Sequence, residues 1–82
     1  MAIRILRLPA CKDKSGDSRS TTYQKVKDGL WPPPVAIGPR SRGWVEHEIE
    51  AVLAARIAGK SDEEIRSLVA SLVESRRRSS AA

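Results

Sequence analysis

Gly16-Asp17-Ser18-Arg19-Ser20-Thr21-Thr22-Tyr23, then Gly29-Leu30-Trp31-Pro32-Pro33-Pro34-Val35, then Gly38-Pro39-Arg40-Ser41-Arg42-Gly43-Trp44 is the stretch that decides the fold of this chain. Gly16 suits the left-handed residue that ends a short helix. Asp17 and Ser18 are both good caps for a second helix, Arg19 to about Asp28. Gly29 ends that helix and the triple proline forbids its continuation. Val35-Ala36-Ile37 and Arg42-Gly43-Trp44 then read as short strands around Gly38-Pro39-Arg40-Ser41, a hairpin.

Upstream, Ile3-Arg4-Ile5-Leu6-Arg7-Leu8 is strand-like, and Pro9 stops pairing or opens a helix that Ala10 to Ser15 can complete. Downstream the period changes. Val45, Ile49, Val52, Leu53 and Ile57 recur at helical spacing, with Glu46, Glu48 and Glu50 near the positive end of the helix dipole. Gly59-Lys60 breaks this helix, and Ser61-Asp62-Glu63-Glu64 is a capping box for the next. Ile65, Leu68, Val69, Leu72 and Val73 form its apolar stripe. The spacing predicts a helix over 62–74 and a frayed tail beyond it.

The charge is uneven. Met1 to Trp44 holds nine Lys/Arg against three Asp/Glu, Val45 to Ser75 three against seven, and Arg76-Arg77-Arg78 brings the whole chain to +5. A basic N-terminal half on an acidic helical half points to a polyanion-facing surface on a solvated scaffold. Eighty-two residues make one domain. No apolar run approaches the length of a membrane span, and the N-terminus lacks a signal-peptide core. One cysteine, Cys11, makes no internal disulfide and reads as a small buried hydrophobe in a reducing cytoplasm.

Catalysis finds little support. His47 is the only histidine, no second His or nearby Cys completes a metal set, and no Walker loop or nucleophile–base pair is present. Acid pairs such as Glu46/Glu50 and Glu63/Glu64 read as helix-start residues. The expectation is no enzyme, no catalytic or metal residue and no cofactor.

Turned at helical period, the second helix gathers Thr22, Tyr23, Val26 and Leu30 on one side and sets Ser20, Gln24 and Lys27 opposite, with Thr21, Lys25 and Asp28 adjoining. Gln reads adenine bidentately, Ser and Thr adapt to several base edges, and Lys neutralises phosphate. Arg19, in the first turn, reaches a guanine edge or a flanking phosphate. Arg40 and Arg42 sit about the hairpin tip, placed for the DNA backbone or minor groove. Trp31 and Trp44 read as anchors of the hairpin rather than base-stacking groups.

Arg7-Leu8-Pro9, Ser15-Gly16, Ser18 to Tyr23, Gly29 to Pro32, Pro34-Val35, Ile37-Gly38, Arg40 to Trp44 and Glu48-Ile49 together resemble the AlpA family. Its members are small phage- and prophage-encoded regulators related to MerR-type winged helices and to excisionases. The resemblance covers about Leu6 to Arg56. It implies a mostly α, winged helix-turn-helix fold (MerR/excisionase-like) with a short β-hairpin wing and an extra C-terminal helix. It also implies activation of integrase genes, or bending of attachment-site DNA so that integrase excises an element. Carried onto this chain, Ser18, Arg19, Ser20, Tyr23 and Gln24 fall at recognition-helix positions and Arg40 and Arg42 in the wing. Tyr23 is therefore pulled two ways, toward packing by helical geometry and toward DNA by the resemblance.

The expected organisation is a DNA-binding domain over 1–59, an amphipathic helix over 60–75 packing on the domain or a partner, and a basic flexible tail over 76–82. The expected DNA-contacting residues are Ser18, Arg19, Ser20, Thr21, Tyr23, Gln24, Lys27, Arg40, Ser41 and Arg42. Helix 19–28 lies in the major groove of double-stranded DNA, and the wing, 38–43, on backbone or minor groove. Integrase and self-association on DNA are the further partners, with no membrane, in the cytoplasm at the nucleoid. The alternative is a protein–protein module, an accessory or anti-repressor factor that grips a partner helix with the Ile65–Val73 stripe.

The chain departs from the family where Lys14, Asp17 and Thr22 replace apolar residues. Losing three buried aliphatics, about 1.5–3 kcal/mol each, is serious for a small domain. The expectation is that the last helix compensates by laying its stripe over the motif, or that the stripe pairs with a second protomer.

Overall fold

Gly16 has φ of 78°, and this one left-handed residue turns the chain between two short helices. The computed structural model describes residues 3–81. Strand β1 (Ile5–Leu6) leads into helix α1 (Leu8–Ser15), then helix α2 (Arg19–Lys27), strands β2 (Val35–Gly38) and β3 (Ser41–Val45), and helices α3 (Glu46–Ile57) and α4 (Asp62–Ala81). Four helices thus flank one three-stranded antiparallel sheet of order β1-β3-β2. This arrangement is compatible with a helix-turn-helix followed by a wing.

The strand-like N-terminal stretch shortens to two residues because Pro9 starts α1 early, in its first turn. Ile5 pairs with Val45 and Leu6 with Trp44, and the Glu46 N–H donates to the Arg4 carbonyl at 2.8 Å. This pairing clamps the N-terminus onto the strand that feeds α3. It also explains Gly43: a Cβ there would stand 2.4 Å from Ile5 Cγ2 and 3.1 Å from the Leu6 carbonyl oxygen. Only glycine lets β1 approach so closely.

Ser18, not Asp17, caps α2, accepting from the Thr21 N–H at 3.2 Å. The capping box forms as read: Ser61 Oγ accepts from the Glu64 N–H and Glu64 Oε1 from the Ser61 N–H, each at 3.2 Å.

The core is Leu6, Cys11, Trp31, Trp44, Ile49, Val52, Ile65 and Val69. The apolar stripe of α4 is thus spent inside the chain, with Leu68, Leu72 and Val73 half-buried beside it. Burial pushes the Cys11 thiol pKa up, and the nearby Trp31 side chain offsets part of the rise.

Two expectations are corrected. Residues 76–81 form no frayed tail: α4 continues through Ala81, and Arg76 is packed against Glu48. Residue 82 lies outside the described residues. Nor does α4 cover the motif at Lys14, Asp17 and Thr22. It packs chiefly on α3, touching the end of α2 where Arg66 Nε donates to the Asp28 carbonyl at 3.0 Å. The three polar residues find polar partners instead. Lys14 Nζ reaches Glu50 at 3.1 Å and Glu46 at 3.5 Å on α3, Lys25 Nζ donates to Asp17 at 2.8 Å, and buried Thr22 donates to the Ser18 carbonyl at 2.9 Å. The Glu50 carboxylate, foremost, holds the Lys14 ammonium above its ordinary pKa.

Candidate nucleic-acid interface

Thr22 is the inward anchor of α2, with Val26 half-buried one turn on. That anchoring turns Arg19, Ser20, Thr21, Gln24 and Lys27 outward, and all five are exposed. Ser18 is exposed too, but its hydroxyl is engaged in capping and also donates to Thr21 Oγ1 at 3.0 Å. The basic side chains gather toward the ends of the helix, Arg19 at the start and Lys25 and Lys27 in the last turn.

Tyr23 is packed on one side and open on the other. Its ring meets Trp44 edge-on, centroids 6.0 Å apart, yet the residue stays 40% exposed. The Arg19 guanidinium lies 5.8 Å from the tyrosine ring centre. A buried tryptophan thus supports a tyrosine that supports an arginine, each contact worth about 0.5–1.5 kcal/mol at most. The consequence is orientation rather than stability, because Arg19 is steered before any ligand arrives.

In the hairpin, Gly38 pairs with Ser41, and Pro39 and Arg40 make the turn. A register irregularity between Ala36 and Gly38 breaks the regular ladder just before it. Arg40 therefore stands at the tip, Arg42 one strand position behind Ser41; both arginines are exposed and Ser41 is half-buried.

The start of α2 and the hairpin face each other across a cleft of about 620 Å³. Its arginines are Arg7, Arg19, Arg40 and Arg42, with Tyr23 and Trp44 in its lining, and no carboxylate borders it. Among the described residues these four arginines make no ion pair, whereas Arg4, Lys14, Lys25, Arg56, Lys60 and Arg76 are each matched to an acid elsewhere. Six acids are thus engaged by cations elsewhere and none borders the cleft, which is left positive.

Arg7 joins the cleft although it lies outside the DNA-contacting residues expected from the sequence. It caps α1 through its backbone conformation alone, with no side-chain bond, so its guanidinium is available to the cleft. Its place just before a proline-started helix was the available signal. Ser20, Gln24 and Lys27 lie outside the cleft lining, on the exposed outer face of the same helix. A positive cleft beside a short polar helix face is suited to grip a phosphodiester backbone and present hydroxyl and amide groups to base edges.

Among the described residues no helix is long and apolar enough to cross a membrane. The model of the family described as Prophage CP4-57 regulatory protein (AlpA) matches residues 4–57. The chain is 40% identical over 57 residues to the uncharacterized protein ORF88 of Enterobacteria phage P4, covering 70% of this chain and 65% of that one. It is 39% identical over 61 residues to the DNA-binding transcriptional activator AlpA of Escherichia coli (strain K12), covering 67% of this chain and 87% of the relative. No solved structure matches it.

Proposed function

The chain belongs to the AlpA family of prophage regulatory proteins, and from that premise we propose that it binds double-stranded DNA sequence-specifically as a regulator of a phage or mobile element. Helices α1 and α2 act as a helix-turn-helix and β2–β3 as its wing. Arg19, Ser20, Thr21 and Gln24 read the major groove, and Lys27 contacts phosphate. Tyr23 packs under Arg19, while Ser18 holds the first turn that carries the reading residues. Arg40, Ser41 and Arg42 lie on backbone or minor groove, joined by Arg7.

The observation that supports this most directly is the unpaired arginine set at one cleft that no carboxylate borders, in a chain where six other cations are matched to acids. Phosphate contacts position the protein, and the outer face of α2 specifies the site. Binding is non-enzymatic and takes place at the bacterial nucleoid. Control of integrase follows, through transcription of its gene or through bending of attachment-site DNA. Transcriptional activation ranks first, because that is what the Escherichia coli relative is named for. Integrase as a direct partner and self-association along DNA belong to the excision form of the proposal. The interaction-module alternative loses ground because Ile65 and Val69 are already buried in the chain's own core.

Fluorescence anisotropy on a random-sequence duplex at several salt concentrations is the test. The expected result is binding whose log affinity falls linearly with log salt, steeply enough for several phosphate contacts. No salt-sensitive binding at micromolar protein would overturn the proposal and favour the interaction module.

A further inference from the structure

Gln24 Nε2 lies 3.1 Å and 3.3 Å from the two carboxylate oxygens of Asp28, one helical turn further along α2. A carboxylate only accepts, so the amide nitrogen, not its oxygen, must face it. One of the two Nε2 hydrogens is taken, which leaves Oε1 and the second hydrogen for a ligand. One donor and one acceptor side by side are what an adenine edge requires, N7 accepting and N6 donating. Asp28 is itself fixed. Its N–H donates to the Gln24 carbonyl at 3.0 Å, and its carbonyl accepts from Arg66 Nε of α4 at 3.0 Å.

We propose that Asp28 is a positioning residue that holds the Gln24 amide in its adenine-reading orientation, on an anchor supplied by α4 through Arg66. This rests on α2 being the helix that enters the major groove. The device has a second effect. It places a negative charge on a surface that approaches phosphates, so Asp28 sharpens selectivity while lowering affinity for DNA in general. Ordering one long side chain beforehand corresponds to about a 2- to 10-fold gain in preference at the base pair it reads.

The test selects the full chain and its variants against a randomised duplex pool and sequences the bound fraction, with affinity for random duplex measured in parallel. Gln24→Ala identifies the base-pair position that Gln24 reads. Asp28→Ala is expected to lower the adenine preference at that same position about 2- to 10-fold and to raise affinity for random duplex. Asp28→Asn keeps an oxygen acceptor without the charge, so it is expected to retain the preference while still raising general affinity. A purely structural role for Asp28 would not split the two readouts in this way. If Gln24→Ala erases a preference that Asp28→Ala leaves intact, or if Asp28→Asn loses it as fully as Asp28→Ala, the positioning role is overturned while the DNA-reading assignment stands. If Gln24→Ala changes no position, α2 does not read bases through Gln24 and both fall.

Discussion

Arg76 Nε donates to Glu48 Oε2 at 2.8 Å, joining the last third of α4 to the first turn of α3. Arg76 Nη2 also reaches Glu48 Oε1 and donates to the Pro33 carbonyl at 2.8 Å. Glu48 is only 2% exposed. One guanidinium therefore ties α4, α3 and the proline segment at a single point, and it is the means by which a buried carboxylate is tolerated.

Removing that guanidinium strands the charge. Arg76→Ala is expected to destabilise the fold by about 3 kcal/mol, a drop in Tm of about 10–20 °C for a domain of this size. Replacing Glu48 and Arg76 together by Met should recover most of the loss. Thermal melts followed by circular dichroism check both, and a double variant no better than the single would contradict the account.

Ile65 is fully buried against the core formed by the earlier elements. Ile65→Ala should cost about 2–5 kcal/mol. A chain ended at Gly59 should melt lower than the full chain by an amount independent of protein concentration. An unchanged Tm at low concentration would mean that the stripe on α4 stabilises nothing within the monomer.

The capping box has a pH signature. The Ser61 backbone N–H, foremost, and the Ser61 hydroxyl hold the Glu64 carboxyl below the usual glutamate range. A carboxyl with a depressed folded pKa adds stability above its unfolded value and loses it as pH falls through the folded one. Stability should therefore decline from the ordinary glutamate range downward. Glu64→Gln should flatten that part of the curve in denaturant titrations run at stepped pH, and an unaltered acid limb would exclude Glu64 as its source.

On DNA, Arg7 and Gln24 should fail differently. Arg7→Ala is expected to weaken binding on all sequences and reduce the salt slope by about 1, as for Arg40 or Lys27. Gln24→Ala should leave the slope in place and relax one base preference, a discrimination worth about 1–3 kcal/mol. Affinity of each variant across a salt series, on selected and random duplexes, separates the two; a sequence-dependent loss for Arg7→Ala would move it from backbone to base contact.

Much of this architecture is local in origin and so was legible along the chain. Gly16, the Ser18 cap, the triple proline and the Ser61–Glu64 box each act within a few residues, and the α4 stripe repeats at a period that needs no partner to be seen. What was hidden depends on distant pairing. Glu48 looks like one more acid in a helix start until Arg76 arrives beside it. Lys14, Asp17 and Thr22 look like missing core until Glu46, Glu50, Lys25 and the Ser18 carbonyl supply their partners. Arg7 looks like a strand residue, and only the fold brings it to the cleft with Arg19, Arg40 and Arg42.

The pairing of Ile5–Leu6 with Trp44–Val45 has a consequence in time. The β2–β3 hairpin closes a short loop, but β1 has no edge to join until β3 has left the ribosome, and Glu48 has no counter-charge until Arg76 follows. Closing long loops is slow relative to local hairpins and helices. Both late contacts meet at the β3–α3 junction, so the chain gains its β1 edge and the counter-charge of its buried carboxylate only after the local turns, helices and hairpin can already have formed.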